Sequence, residues 1–74
     1  MYLHDAIVEV LKGKPGKTAT TEDIAAEINK RNLYSKKDGS PLKPEQVMLR
    51  TKLAGGKYHD MFEYIEPDRV RLKL

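Results

Sequence analysis

The sequence predicts one small α+β domain, three helices followed by a two-stranded β-hairpin, and three observations predict it. Leu3, Ala6, Ile7, Val10 and Leu11, and later Ile24, Ala25 and Ile28, recur at the three- and four-residue spacing of helices with one buried face. Pro44–Leu53 is a third helical stretch, opened by a proline and followed by Gly55-Gly56. Beyond those glycines the period falls to two. Phe62 and Tyr64 alternate with Glu63 and Ile65, Pro67-Asp68 turns the chain, and Val70, Leu72 and Leu74 alternate with Arg69, Arg71 and Lys73. Three helices and then a hairpin is the order of a winged helix-turn-helix. At 74 residues the chain 1–74 is read as a single domain, near the lower end of lengths that fold without staples.

Taken in order, the first helix is expected over Leu3–Lys12. Asp5 and Glu9 precede Lys12, which suits the helix dipole, and Gly13, Pro15 and Gly16 stop the helix. Lys17 to Ala19 reads as a short edge strand. Thr20 or Thr21 begins the second helix, and Thr20 with Asp23 three residues on resembles a capping box with the shorter acid. Glu22, Asp23, Glu27, Lys30 and Arg31 run acidic to basic along it, and Asn32 suits a left-handed C-terminal residue. Leu33, Tyr34 and Leu42 then anchor a connection of about ten residues with a turn at Asp38-Gly39. That is longer than the turn of a simple helix-turn-helix and is expected to be an ordered loop. On the third helix Val47 and Thr51 form the buried edge, with Met48 partly beside them. On the hairpin, Glu63 is expected across from Arg69 or Arg71.

Charge points to the third helix as the functional element. The net charge is +3, too small by itself to imply a nucleic-acid partner, but it is unevenly placed. Residues 1–33 carry five basic and five acidic side chains, and residues 59–74 carry three and four. Residues 34–58 carry Lys36, Lys37, Lys43, Arg50, Lys52 and Lys57 against Asp38 and Glu45. The excess thus surrounds a short helix whose outward residues include an amide and a guanidinium. Arg50 is suited to a bidentate fork on guanine and Gln46 to an amide pair on adenine. Lys36, Lys37, Lys43, Lys52 and Lys57 are suited to phosphates, which position without specifying sequence. The plainer alternative for Arg50 is a pair with Glu45 or Asp60, and for the lysines a solvated surface. Tyr58 and Phe62 are expected in the core, and Met48 and Leu49 are expected to seal the third helix onto its neighbours; an outward Leu49 would point instead to a protein partner.

The same residues carry a family likeness. The runs TTEDIAAEINKRNLY and KKDGSPL, a helix with QVMLR, then YHDMFEYI and RVRLKL resemble the HARE-HTH domain from Leu3 to Leu74. The series Tyr34, DGSP, Gln46, Arg50 and Phe62 is its more specific part. That family is a winged helix found in Asx-like Polycomb proteins, restriction-endonuclease fusions and the RNA polymerase delta subunit. The resemblance implies a DNA-binding role, with Gln46, Arg50, Lys52 and the preceding basic loop as the contacting residues. One departure stands out: Glu66-Pro67-Asp68 puts two carboxylates at the hairpin tip, where a DNA-gripping wing would meet phosphates.

Other function classes find little support. There is no cysteine, hence no disulfide or thiolate metal site. His4 and His59 are each followed by aspartate, with no third ligand in view. Gly13 to Gly16 lacks the Gly-Lys-Ser/Thr ending of a phosphate loop. Pro67-Asp68 is the lone Pro-Asp pair and six residues follow it, too few for the later ligands of a nuclease core. No enzyme activity, metal or cofactor is expected. No apolar run is long enough to span a bilayer and the start lacks the order of a signal peptide, so a cytoplasmic protein is expected. The expected function is DNA binding in transcription regulation or as the targeting part of a larger system. The alternative is a protein-docking winged helix, for example onto RNA polymerase, without DNA contact.

Overall fold

The computed structural model describes residues 2–52 and 61–73, an α+β arrangement of three helices and a three-stranded antiparallel sheet. Helix α1 spans Leu3–Lys12, as the apolar spacing predicts, and buries Leu3, Ala6, Ile7, Val10 and Leu11. Its last carbonyls are closed by the N–H groups of Gly13 and Lys14, which donate to Val10 and Leu11 at 3.2 and 3.0 Å. A tight 3-10 turn, Pro15–Lys17, follows, with Gly16 at φ 63° and Lys17 at φ 53°. This left-handed pair reverses the chain, and it takes Lys17 out of the expected strand. Strand β1 therefore covers Thr18–Thr20.

Helix α2, Thr21–Arg31, begins at the expected cap: the Asp23 N–H donates to Thr20 Oγ1 at 3.0 Å. Its other end is a Schellman closure. Asn32 sits at φ 55°, its N–H donates to the Asn29 carbonyl, and the Leu33 N–H donates to the Ile28 carbonyl. Helix α3 is described over Pro44–Lys52 and buries Val47 and Thr51, with Met48 half-buried. The Thr51 hydroxyl donates to the Val47 carbonyl at 2.9 Å, which lets a polar side chain lie inside the fold at little cost. Leu53, Gly55, Gly56 and Tyr58 lie outside the described residues.

Strands β2, Phe62–Ile65, and β3, Arg69–Leu72, form the hairpin, and β1 joins the free side of β3 to give the order β1-β3-β2. The register sorts the side chains by face. Ala19, Val70 and Tyr64 lie in one row, with Leu72 and Phe62 opposite each other beyond it, and these pack into the helical core. Thr18, Arg71 and Glu63 form a row on the other face. Arg71 is thus the partner of Glu63: its Nε donates to Glu63 Oε1 at 2.8 Å and its Nη2 to the same oxygen. The sheet is also tied to α2 end-on, because the Thr21 N–H donates to the Asp68 carbonyl in the hairpin turn at 2.7 Å. That bond satisfies one of the orphan donors at the start of α2.

Two positions separate packing from capping. Ile28 is wholly buried between the helices, and Ile28→Ala is expected to cost about 2–5 kcal/mol. Thr20→Ala removes the cap alone, at about 1 kcal/mol. Urea unfolding of both variants checks this, and equal costs would contradict the assignment.

Candidate nucleic-acid interface

The basic segment is an ordered loop fastened at both ends. Leu33 and Tyr34 pack against the core at its start, and Leu42 is buried at its end. At the tip the Gly39 N–H donates to the Lys36 carbonyl at 3.0 Å, with Gly39 at φ 77°, a left-handed value that glycine adopts without strain. Asp38 folds back over the turn, and its Oδ1 accepts the Ser40 N–H at 3.0 Å and the Ser40 hydroxyl at 2.7 Å. The Ser40 N–H, then the Ser40 hydroxyl, with Lys36 adding a smaller Coulombic pull, hold the Asp38 carboxyl below its ordinary range. Lys36 and Lys37 are therefore displayed on a closed, internally bonded turn.

The far end of the loop is held by Asn29. Its amide Nδ2 donates to the Leu42 carbonyl and its Oδ1 accepts the Leu42 N–H, both at 2.9 Å. One side chain thus supplies both partners of a buried residue's backbone, as a neighbouring strand would. Between the loop and the C-terminal end of α2 lies an open polar cleft of about 220 Å³, lined by Asn29, Asn32, Tyr34, Ser35, Ser40 and Pro41 among others. Asn29 escaped the sequence reading. Its signal was an asparagine inside a helix, where its backbone-seeking amide is unfavourable unless it has a partner elsewhere.

Helix α3 starts directly after Leu42. Lys43 precedes Pro44 and has no side-chain acceptor to offer as a cap, so the helix uses only the returning half of a capping box. The Lys43 N–H donates to Gln46 Oε1 at 3.0 Å. This bears on what Gln46 can read. A bidentate pair with adenine needs both the oxygen and the N–H of the amide, and the oxygen already accepts one bond from the Lys43 N–H, so the adenine would share it with the cap. Arg50, one turn further along, is half-buried, and Leu49 beside it is 43% exposed. Lys43 is exposed at the start of the helix and Lys52 at its end.

Lys52 is turned toward the hairpin. Its Nζ lies 2.7 Å from Glu66 Oε1 and 5.1 Å from the centre of the Tyr64 ring, and the hydrogen bond with Glu66 raises its pKa. The Tyr64 hydroxyl in turn donates to the Pro67 carbonyl at 2.6 Å. Among the described residues no carboxylate pairs with Lys37 or Lys43. Of the seven residues singled out in the sequence, Lys36 and Lys37 lie on the loop tip. Lys43, Gln46, Arg50 and Lys52 are spread from the start to the end of α3. Lys57 lies outside the described residues, as do His59 and Asp60.

No family model, curated protein or solved structure matches this chain. Its chemistry is therefore read from its own side chains. His4 stacks on Tyr2 with ring centres 5.8 Å apart, and its Nε2 lies 3.4 Å from Asp5. Among the described residues no three His, Cys, Asp or Glu side chains gather where they could hold a metal ion. No described helix is long and apolar enough to cross a membrane.

Two measurements test the loop. Asn29→Ala strips both partners from the Leu42 backbone and is expected to cost about 1–3 kcal/mol, with faster hydrogen exchange at the Leu42 amide. An equally protected amide in the variant would show that Asn29 is not the fastener. Ser40→Ala is expected to move the Asp38 pKa up toward the ordinary aspartate range, read by NMR titration of the carboxyl carbon. The folded-state value is depressed, so the stabilisation is present at neutral pH. It is lost as acid carries the pH down through that value.

Proposed function

We propose that this chain is a winged helix-turn-helix module of the HARE-HTH kind that binds double-stranded DNA. In this reading α3 enters the major groove, the hairpin is the wing, and the Lys36–Lys37 loop and Lys43 rest on phosphates. Arg50 is the candidate base reader, and Gln46, whose oxygen also caps α3, joins it. The observation that carries the reading is the coupling of charge to frame. The net positive excess falls on one segment of the chain, and that segment is tied to α2 by the paired Asn29–Leu42 bonds. Lysines on a fastened loop bind a phosphate backbone with less ordering cost than lysines on a loose one. The module acts by binding and not by catalysis, in transcription regulation or as the targeting part of a larger cytoplasmic system.

Leu49 favours a second reading. It is 43% exposed on the same helix, and an exposed leucine on a recognition surface suits a protein partner better than a phosphate backbone. There α3 docks on a protein such as RNA polymerase and makes no DNA contact.

Titration of a labelled random duplex at two salt concentrations separates the two. With about four phosphate contacts, affinity is expected to fall roughly a hundredfold between about 50 and 200 mM salt. Absent binding at low salt, or binding indifferent to salt, would favour the docking reading. Lys36→Ala with Lys37→Ala is expected to weaken all duplexes alike and to flatten the salt slope. Arg50→Ala is expected to reduce sequence preference, by about 1–3 kcal/mol at the base it reads. The reverse pattern would overturn this division of roles.

A further inference from the structure

The hairpin tip presents a carboxylate where a DNA-binding wing would be expected to welcome phosphate, and that carboxylate is engaged. Glu66 Oε1 sits 2.7 Å from the Lys52 ammonium, which the Tyr64 ring flanks at 5.1 Å. The ring is itself steadied, since the Tyr64 hydroxyl is bonded to the Pro67 carbonyl. Lys52 is thus steered toward one place at the end of α3 by a side chain of β2, whatever anion lies above it.

We propose that Lys52, flanked by Tyr64, is a phosphodiester subsite that the Glu66 carboxylate occupies in the free protein, so that a DNA phosphate binds there only by displacing Glu66. The inference rests on the DNA-binding reading and adds to it a subsite and the residue that sets its affinity. Chemistry supports the exchange. A carboxylate oxygen and a phosphate oxygen are equivalent acceptors for an ammonium N–H, with similar preferred distances. Access supports it too. The Lys52 side chain is 39% exposed and that of Glu66 is 69% exposed, so the pair is open to solvent and neither ion is trapped. An exposed pair of this kind is weakly coupled and yields to a competing anion. The polyanionic surface of a duplex presents such anions at high local density. Glu66 consequently counts twice against binding, by occupying Lys52 and by repelling the approaching backbone.

Fluorescence anisotropy with a labelled random duplex, read across a salt series, tests this on the full chain. Glu66→Gln keeps the shape of the side chain and frees Lys52. It is expected to tighten binding about five- to tenfold near 0.1 M salt and to steepen the salt slope by about 0.9, the signature of one added phosphate contact. Lys52→Gln placed in the same chain as Glu66→Gln is expected to cancel the gain and return affinity to within about twofold of the parent. Glu22→Gln, which removes an exposed charge at the start of α2, controls for overall field and is expected to change affinity less than about twofold. Far-UV circular dichroism confirms that each variant is folded. A gain that survives Lys52→Gln, or that Glu22→Gln equals, overturns the subsite. Parent binding with no change in Glu66→Gln overturns the subsite and leaves the DNA reading standing. No binding by the parent or by Glu66→Gln overturns both.

Discussion

The pair of hydrogen bonds between the Asn29 amide and the Leu42 backbone is the constraint on which the functional half of this fold depends. Leu42 is buried, so its N–H and C=O must find partners or cost free energy, and among the described residues no strand pairs with it to provide them. Asn29 meets both demands from the adjacent helix turn. The bonds do more than satisfy two polar groups. They set where the chain leaves the loop, and Pro44 follows two residues later with a fixed φ, so they also set where α3 starts. The tip of the loop is then short enough to be closed within Lys36 to Ser40, by the Gly39–Lys36 backbone bond and the Asp38 side chain on Ser40. A segment of about ten residues without secondary structure becomes a closed, fastened display for its lysines through two asparagine bonds and one aspartate turn.

Much of the frame could be read from the sequence, and the reason is locality. The extent of α1, the Thr20–Asp23 cap, the left-handed Asn32 and the buried Val47–Thr51 edge all depend on residues within four or five positions of one another. Their physics is complete inside one helical turn. The alternation in β2 and β3 is local in the same sense. Among the described residues two local readings differ from the structure. Leu49, expected to seal α3 onto its neighbours, is exposed. Lys17, expected in a strand, is held at φ 53°, a conformation that a lysine adopts only when its neighbours impose it.

What escaped the sequence were the pairings that close long loops. Asn29 meets Leu42 across thirteen positions and Lys52 meets Glu66 across fourteen. Thr21 bonds Asp68, and β1 pairs with β3, across a still longer separation. Each depends on the finished fold, and no periodicity announces it. Glu63 shows the boundary between the two kinds of information. Alternation placed it on the outer face, yet Arg69 and Arg71 share that face, and only the register selects Arg71. The candidate site was legible as a list of charged residues and illegible as an arrangement, because which cations are already engaged is decided by those distant contacts.

The same division explains how α3 is held. Its apolar underside is thin, with Val47 and Thr51 as its buried residues, so packing alone fixes its position weakly compared with α1 and its five buried residues. Polar contacts at its two ends supplement the packing. At the start stand the Leu42 anchorage and the Gln46 cap; at the end stands the Lys52–Glu66 contact. Both Gln46 and Lys52 are residues that the DNA reading assigns to the nucleic acid, so on that reading the ligand competes with the bonds that seat the helix. A hydrophobic seat resists such competition, since water and anions do not replace apolar contacts. A polar seat exchanges its partners one for one, and the helix can shift or trade a bond without opening the core. Binding energy and helix position are then coupled in a single element, and the residues expected to tune affinity most are those that currently face the protein itself.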